Sequence, residues 1–401
     1  MDSKTLTTWA AGIAVATGTW PLFGTAAQTR TNTYSPLDYR GSDTERIQKA
    51  LDAAVENRGT CVIPWKGSPW EVEETLTIRP VKGDTQARLK IVGDPQWNLI
   101  DFKGKDGSDV FRFYGLKGSR VENVGVRIHA DRVTAFALDG DAQTQSSSQN
   151  RFVQCHVVFW KGTREGVGYW MGRGGNDHSG SVFEQCIVTG EIEGKVQDVG
   201  HLRRVAAAGH RGFVLTGPNN LAPTLRDCSA MNCMVGFQFA RFRGYPQGGS
   251  AAFVEASGTT ACTVVFYVDG GFPITIVGGR DELGGALLVH GDPKVSGRGD
   301  AVVAVRNRMV ADFKPTEGSA AGLTEPGEFV GLRSAAKTLF EGVTVYRSDL
   351  GEPMSASSWV LACNDPSKRP EVRFEATSLG YAESGIRPHE GSWTVGGVRR
   401  G

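Results

Sequence analysis

The sequence has no excess of charge of either sign. Its 44 Lys and Arg residues balance 43 Asp and Glu residues, and the formal net charge is +1. Such a composition supplies no general attraction for polyanions, so we expect no nucleic-acid partner. Proline is sparse, at 17 residues against 53 glycines. This balance favours many short strands joined by tight turns over long helices.

Paired cysteine motifs are also missing. The seven cysteines include no CxxC pair, so neither a zinc ribbon nor a complete disulfide framework is indicated. We predict buried thiols instead. The cysteines are Cys61, Cys155, Cys186, Cys228, Cys233, Cys262 and Cys363.

Long apolar runs are scarce. The small and apolar stretch from Trp9 to Ala27 is broken by three glycines and a proline, which makes it a poor membrane-spanning helix. Its end, at Gly24-Thr25-Ala26, suits signal cleavage, but its start lacks the positive charge of a secretion signal. For residues 1–37 we therefore leave two alternatives open, a docking arm and a signal-like segment.

An amphipathic helix follows this arm. Asp43 is a good N-cap, and apolar residues between Thr44 and Asn57 fall on one helical face before Gly59. The pattern predicts a capping helix over residues 43–58. Short alternating segments separated by Gly and Pro come next, which predict strands at residues 60–64, 70–72, 76–78 and 89–93.

A recurring sequence pattern, which we call the phrase, then runs through the chain. An apolar anchor is followed by two mostly polar residues, a small or apolar residue at offset +3, and often an apolar residue at offset +5. Successive anchors are 31, 31, 42, 28, 87 and 34 residues apart, and the gap of 87 fits three coils of about 29 residues. The anchors are Val121, Phe152, Phe183, Leu225, Phe253, Phe340 and Phe374.

The phrase predicts a bend. Inward residues at offsets 0, +3 and +5 fit strands of period two only if the chain turns near offset +2. Polar side chains at this offset can bond the backbone of the next coil; they are Asn123, Gln154, Gln185 and Asp227. Cys155, Cys186 and Cys228 then share one inward column, as packing residues.

These segments resemble the opening of the pectate-lyase-like superfamily, which also includes phage tailspikes. The resemblance rests on the helical segment 43–54, on Gly59-Thr60-Cys61-Val62-Ile63-Pro64 and on Leu76-Thr77-Ile78. It implies an all-β fold, a single-stranded right-handed parallel β-helix over residues 38–380, with a C-terminal cap or tail at 381–401. The superfamily includes lyases, hydrolases, epimerases and proteins that only bind or build, so activity must be sought in the residues.

Glycan hydrolysis needs neighbouring carboxylates, one of them protonated as a general acid. The densest candidates are Asp139 and Asp141, with Asp177 and Glu184 one coil later. Asp139 and Asp141 could share a proton or a calcium ion if the chain is extended there. The alternative for Asp-Gly-Asp is a solvated turn. No other metal and no organic cofactor is predicted.

Lyase chemistry needs a base together with calcium or arginine beside a uronate. Arginines are plentiful, but the aspartate pairs and the Gly-His-Gly signature of the superfamily's enzymes are missing. We expect His201 and His210 in loops or at the surface. Aromatic and basic residues in Gly- and Arg-rich segments are candidates for sugar binding. They are Trp160, Tyr169, Trp170, Arg211 and Tyr245.

Three hypotheses remain. The first is a tailspike-like β-helix of a virion or cell surface, which binds and possibly degrades a polysaccharide. Its residues 1–37 dock it to a larger assembly, and three copies pair as a trimer. The second is a secreted lyase or glycosidase, and the third is a purely structural or adhesive β-helix.

Overall fold

The chain winds into coils whose strands stack in three parallel sheets. The computed structural model describes residues 32–141, 143–144, 146–174, 178–196, 200–217, 220–241, 250–270, 272–291, 302–312, 323–324, 330–332, 337–346, 361–363 and 371–375. Asp177, Tyr245 and the predicted C-terminal tail lie outside these residues. The described part contains two α-helices, Asp43–Glu56 and His201–Ala208, and a 3₁₀ turn at Pro36–Asp38. Neither α-helix has the length and apolar character needed to cross a membrane.

Each coil contributes one strand to each sheet, and all pairs are parallel. Sheet A comprises Thr33–Tyr34, Thr60–Ile63, Lys90–Gly93, Arg120–Glu122, Arg151–Val153, Val182–Glu184, Asn220–Arg226, Ser250–Glu255, Ile274–Val277, Val302–Arg306, Lys337–Glu341 and Glu371–Glu375, with His178–Ser179 beside the seventh. Sheet B comprises Trp70–Val72, Ile100–Phe102, Gly125–Ile128, His156–Phe159, Ile187–Gly190, Ser229–Met231, Gly258–Thr260, Arg280–Glu282, Met309–Ala311 and Thr344–Tyr346. Sheet C comprises Leu76–Ile78, Asp109–Tyr114, Thr134–Asp139, Val167–Met171, Arg211–Gly217, Val235–Arg241, Val264–Asp269, Ala286–His290, Val330–Leu332 and Leu361–Cys363. The predicted all-β solenoid is confirmed, while the boundaries at residues 38, 380 and 381 stay predictions.

The predicted helix is present from Asp43 to Glu56. Its N-cap is Ser42 rather than Asp43, because the Ser42 hydroxyl accepts from the Glu45 amide while the Glu45 carboxylate accepts from the Ser42 amide. This capping box is a stronger N-terminal signal than a lone aspartate. The apolar face of the helix, with Ile47 and Leu51 fully buried, contacts the first strands of all three sheets. Its role as a cap stays a prediction.

The bend between sheets A and B is left-handed in coil after coil. Its six non-glycine residues have φ between +48° and +56°, a region that costs an ordinary residue roughly 1–2 kcal/mol. Gly278 and Gly342 occupy the same position in two later coils. The six are Asn123, Gln154, Gln185, Asp227, Ala256 and Asn307.

The bend is held mainly by backbone hydrogen bonds, not by the predicted bonds from side chain to backbone. The amide of Gln154 donates to the carbonyl of Glu184 at 2.9 Å, and the amide of Gln185 donates to the carbonyl of Arg226 at 2.9 Å. The Gln154 side chain donates to its counterpart on Gln185 at 3.0 Å instead. Main-chain bonding explains why Ala256 serves at this position as well as the polar residues.

The six cysteines whose side chains the structure describes are buried, as predicted, while Cys363 lies outside that description. Cys155, Cys186 and Cys228 are buried and follow the bend in three successive coils, where they form one inward column. Beside them runs a stack of aromatic rings on sheet C, with neighbouring ring centroids 4.9–5.4 Å apart. The stacked rings are Phe111, Phe136, Tyr169, Phe213, Phe237 and Phe266.

The prediction of Phe253 as an inward anchor is wrong, and the coils of Ile276 and Val305 do not contain the phrase. Val254 faces inward in register with Leu225, whereas the Phe253 side chain is 45% exposed. The inward residues Val254, Ile276, Val305 and Phe340 are separated by 22, 29 and 35 residues (276−254, 305−276, 340−305). The gap therefore contains three coils, as the spacing predicts, but coils of unequal length.

A buried ion pair explains why the phrase fails there. Arg308 follows the bend at the position of the stacked thiols, and both it and Asp281 are about 1% exposed or less. Arg308 donates to both carboxylate oxygens of Asp281 at 2.5 and 2.6 Å, and to the carbonyls of Ser257 and Gly278. A side chain at Gly279 would begin 2.7 Å from this guanidinium. It would begin still closer, at 2.0 Å, to the carbonyl oxygen of Ser257, and the φ of Gly279 is +84°. The glycine therefore makes room for both the Ser257 backbone and the arginine.

Removal of one partner of this pair should be costly. Asp281→Ala leaves a buried guanidinium uncompensated, so we expect the free energy of unfolding to fall by roughly 3–5 kcal/mol. The double variant Arg308→Met/Asp281→Leu should lose much less stability, because it leaves no buried charge unpaired. Urea unfolding measures both, and Glu255→Ala is the matched control because it removes the exposed pair between Arg226 and Glu255, worth up to about 1 kcal/mol. Equal losses in Asp281→Ala and Glu255→Ala would contradict the assignment.

Candidate functional site

Predicted site residues gather where three strands of sheet C end. Asp139 closes the strand Thr134–Asp139, directly beside Tyr114 on the preceding coil. Arg173 follows the strand Val167–Met171 on the next coil. Because the carboxyl ends of parallel strands meet at one edge of a sheet, these side chains converge although they are far apart in sequence.

Two buried carboxylates, Asp109 at the start of one sheet C strand and Asp139 at the end of the next, hold two arginines. Arg173 donates to both oxygens of Asp109 at 2.5 and 2.6 Å and to Asp139 at 3.1 Å. Asp139, whose side chain is 1% exposed, also accepts from Nε of Arg112 at 2.9 Å and from the amide of Gly174 at 3.1 Å. Burial alone would lower the pKa of Arg173, but the hydrogen bonds and charges of the two aspartates raise it above its ordinary value.

A second, more exposed pair lies beside them. Arg79 donates to Asp141 at 2.8 Å, with side chains 43% and 32% exposed. The hydrogen bond from Arg79 lowers the pKa of Asp141. The guanidinium of Arg79 also lies 3.5 Å from the ring centroid of Tyr114, with that of Arg112 at 4.9 Å. Such cation–π contacts fix the orientation of the two guanidiniums.

Trp170 completes this surface. Its ring lies in the strand Val167–Met171, partly exposed, 5.6 Å from the guanidinium of Arg173. Its Nε1 donates to the hydroxyl of Thr216 at 2.9 Å. We call this surface the arginine face and define it as Arg79, Arg112, Tyr114, Asp141, Trp170 and Arg173.

The structure separates the two aspartates that the sequence suggests as a proton- or calcium-sharing pair. Asp139 binds Arg112 and Arg173, whereas Asp141 binds Arg79. Among the described residues, no group of three or more His, Cys, Asp or Glu side chains is arranged to hold a metal ion. Calcium binding and catalysis by these aspartates stay predictions.

Other candidates lie elsewhere. Glu184 is on sheet A and pairs with Arg151. Arg211 starts a sheet C strand, at the end opposite the arginine face, and burial lowers the pKa of its guanidinium. Trp160 follows a sheet B strand. Asp177 and Tyr245 lie outside the described residues.

Tyr169 is a correction to the predicted binding residues. Its side chain is 1% exposed, lies inside the aromatic stack and donates its hydroxyl to the carbonyl of Cys155 at 2.8 Å. It therefore packs the core. His201 and His210 are corrections too, since both are 1% exposed, and the ring of His210 stacks on Phe159 at 4.4 Å.

The fold beneath these surfaces is shared with solved structures. The tailspike protein of Acinetobacter phage vB_ApiP_P1 aligns with a TM-score of 0.53 and 14% identity, over 91% of this chain and 65% of the tailspike. The chain has the parallel β-helix fold. An endo-xylogalacturonan hydrolase from Aspergillus tubingensis aligns with a TM-score of 0.47 and 13% identity, over 92% and 100% of the two chains. No protein-family model matches this β-helix, and no curated protein matches it.

His178, a buried histidine that the sequence analysis does not identify, is linked through Ser147 to the backbone of Asp139. Nδ1 of His178 lies 2.9 Å from the carbonyl of Ser147, so this nitrogen carries the proton. The Ser147 hydroxyl bonds the carbonyl of Asp139 at 3.1 Å. The polar segment that precedes His178 draws attention to Asp177, but the histidine's partner is 31 residues away.

The free energy of unfolding should fall at acidic pH because of the buried histidines. Burial lowers the pKa of His178 to about 4, of His210 to about 4 and of His290 to about 3, against about 6.5 in an unfolded chain. Between these values the unfolded state binds more protons, so stability falls as pH drops from about 6.5 towards 4. His178→Asn, which retains an N–H donor, should lose less stability over this range. Identical pH responses of both proteins in urea unfolding would refute this account.

Proposed function

We propose that this β-helix binds polysaccharide on its arginine face. The observation that carries the proposal is the set of three partly exposed guanidiniums that are held by carboxylates and lie beside the rings of Tyr114 and Trp170. The side chains of Arg79, Arg112 and Arg173 are 43%, 38% and 22% exposed. Sugar hydroxyls and carboxylates accept hydrogen bonds, and the partly exposed Trp170 offers an apolar surface to a sugar ring.

Preorganisation supports binding at this place. Free arginine side chains lose much rotamer freedom when a ligand immobilises them. Here Asp109, Asp139 and Asp141 already fix the three guanidiniums, so less of that entropy is lost on binding. Arg112 lies within a strand of sheet C, and Arg79 and Arg173 follow the ends of two other strands of the same sheet.

Binding without cleavage is the form we favour. A hydrolase needs a protonated acid, and the hydrogen bond from Arg79 keeps Asp141 ionised to lower pH. Asp139 is enclosed by two arginines. A secreted lyase or glycosidase that uses Asp139, Asp141, Asp177 or Glu184 is the alternative, and a purely structural β-helix is the third.

A tailspike-like role on a virion or cell surface is the setting we propose. The parallel β-helix common to this chain and the phage tailspike supports it, although the chain spans 65% of that tailspike. In this setting residues 1–37 dock the protein to a larger assembly, and three copies associate. Light scattering of the purified full chain would give a trimeric mass; a monomeric mass would weaken the tailspike-like role.

Substitutions on the arginine face should weaken glycan binding. We expect Arg79→Ala to lower affinity about tenfold or more, since hydrogen bonds to charged groups contribute roughly 1.5–3 kcal/mol. Trp170→Ala should also lower affinity, because it removes the apolar surface that contacts the sugar ring. Binding to an array of bacterial surface polysaccharides measures this. Arg226→Ala, on the exposed face of sheet A, is the control and should bind normally. Unchanged affinity in both test variants would show that the binding site lies elsewhere on the chain. No binding to any polysaccharide of the array would favour the purely structural alternative.

Incubation with the bound glycan should release no new reducing ends and no unsaturated product. Release of either one would favour the enzyme alternative. If release occurs, Asp139→Asn/Asp141→Asn tests these carboxylates, because each amide keeps the shape but not the charge of the side chain. Release that persists in the double variant would place the reaction elsewhere on the chain.

A further inference from the structure

The outward face of sheet B presents two tryptophans beside a row of side chains that includes one carboxylate and one guanidinium. Asp101, Arg127 and Val158 lie side by side on three successive strands. Trp160 directly follows the strand His156–Phe159, and the guanidinium of Arg127 lies 4.9 Å from its ring centroid. The ring of His129 lies 5.4 Å from the same indole.

Trp97 covers the other end of this face. Its side chain is 51% exposed and its ring lies 4.3 Å from the ring of His156. The loop that carries it passes directly over Gly125, where a side chain would begin 2.0 Å from the Gln96 carbonyl oxygen and 2.6 Å from the Trp97 backbone. Only a glycine at this position of the sheet lets the backbone of Gln96 and Trp97 approach so closely.

Three polar atoms of this face make no hydrogen bond to the described residues, although two of them lie within ion-pair distance of each other. Among the described residues, Oδ1 of Asp101, Nε of Arg127 and Nε2 of His129 are buried without a hydrogen bond. The Asp101 and His129 atoms are 3.6 Å apart, which is too long for a hydrogen bond. A buried unsatisfied polar group costs roughly 1–3 kcal/mol, and such groups in folded proteins call for a partner.

We propose that this face, the tryptophan face of Trp97, Asp101, Arg127, His129, His156 and Trp160, is a second carbohydrate-binding site, for neutral oligosaccharides. The side chains of Asp101 and Arg127 are partly exposed, so their accessible atoms offer a carboxylate acceptor and a guanidinium donor to a sugar hydroxyl. One carboxylate and one guanidinium nearly cancel, so the face does not select a charged sugar.

The length of the face selects a chain of sugars. His156, which stacks on Trp97, and Trp160 are four residues apart on an extended strand, or about 13 Å. The two positions are further apart than the width of one pyranose ring, so we expect the two indoles to contact different sugars of one oligosaccharide. This site goes beyond the function proposed above, because it lies on another sheet and shares no residue with the arginine face.

Titration of the full chain with maltohexaose, cellohexaose and laminarihexaose tests the proposal, with tryptophan fluorescence and calorimetry as readouts. We expect at least one hexasaccharide to bind, Trp97→Ala and Arg127→Met to weaken it at least tenfold, and Trp97→Phe to weaken it less. Arg79→Ala on the arginine face should have no effect here. Met309→Ala is the matched control, since Met309 is 41% exposed and lies further along sheet B.

Two results would overturn the proposal. One is the absence of binding by all three hexasaccharides, or binding that Trp97→Ala and Arg127→Met leave unchanged in folded protein, as judged by thermal melting. The other is a change of oligomeric mass in Trp97→Ala without a change in sugar affinity, which would make this face a contact between copies of the chain. Loss of polysaccharide binding in Arg79→Ala alone bears only on the arginine face, so the two proposals fail separately.

Discussion

The structure depends on the hydrogen bonds that join each coil to the next. A parallel ladder forms only if each coil returns to the register of its neighbour, and the turn between sheets A and B sets that return. The turn places ordinary residues such as Gln154 and Ala256 in a left-handed conformation. Stacked amides and carbonyls offset its cost, since each bend amide bonds the following coil. Outward side chains therefore occupy fixed rows on three faces.

The three faces use these rows differently. Sheet A carries exposed ion pairs between coils, such as Arg151 with Glu184 and Arg306 with Glu341. Sheet C carries arginines whose charges are met by buried carboxylates. Sheet B carries the indoles of Trp97 and Trp160 beside polar atoms that make no hydrogen bond to the residues that the structure describes. One scaffold thus separates a solvated surface, a preorganised surface and a surface that a ligand would complete.

Local patterns in the sequence predict the repeating part of this fold. The helix, the bends at Asn123 and Gln154 and the inward thiols follow from periodicity alone. Prediction fails where the inward position is polar, because Arg308 and Asp281 resemble surface residues until their mutual contact is known. Phe253 misleads for the opposite reason, being apolar yet outward.

The candidate sites were harder to predict because their contacts are not local. Asp139 is identifiable in the sequence, but its partner Arg173 lies 34 residues away and is one arginine among many. Tyr169 and Trp170 are neighbours in sequence, and strand alternation sends one into the core and the other outward. Trp97 has no local signal of a binding role, since its position depends on Gly125 in the next coil.

The Arg308–Asp281 pair also bears on how the coils find their correct order. Apolar columns in a solenoid are nearly interchangeable. A stack that is displaced by a whole coil would therefore still bury apolar side chains against one another. Such a displacement would place a guanidinium against thiols or valines with no carboxylate within reach, at a cost of several kcal/mol. A single polar pair inside a repetitive core thus specifies one alignment of the coils over alignments that are displaced by a whole coil.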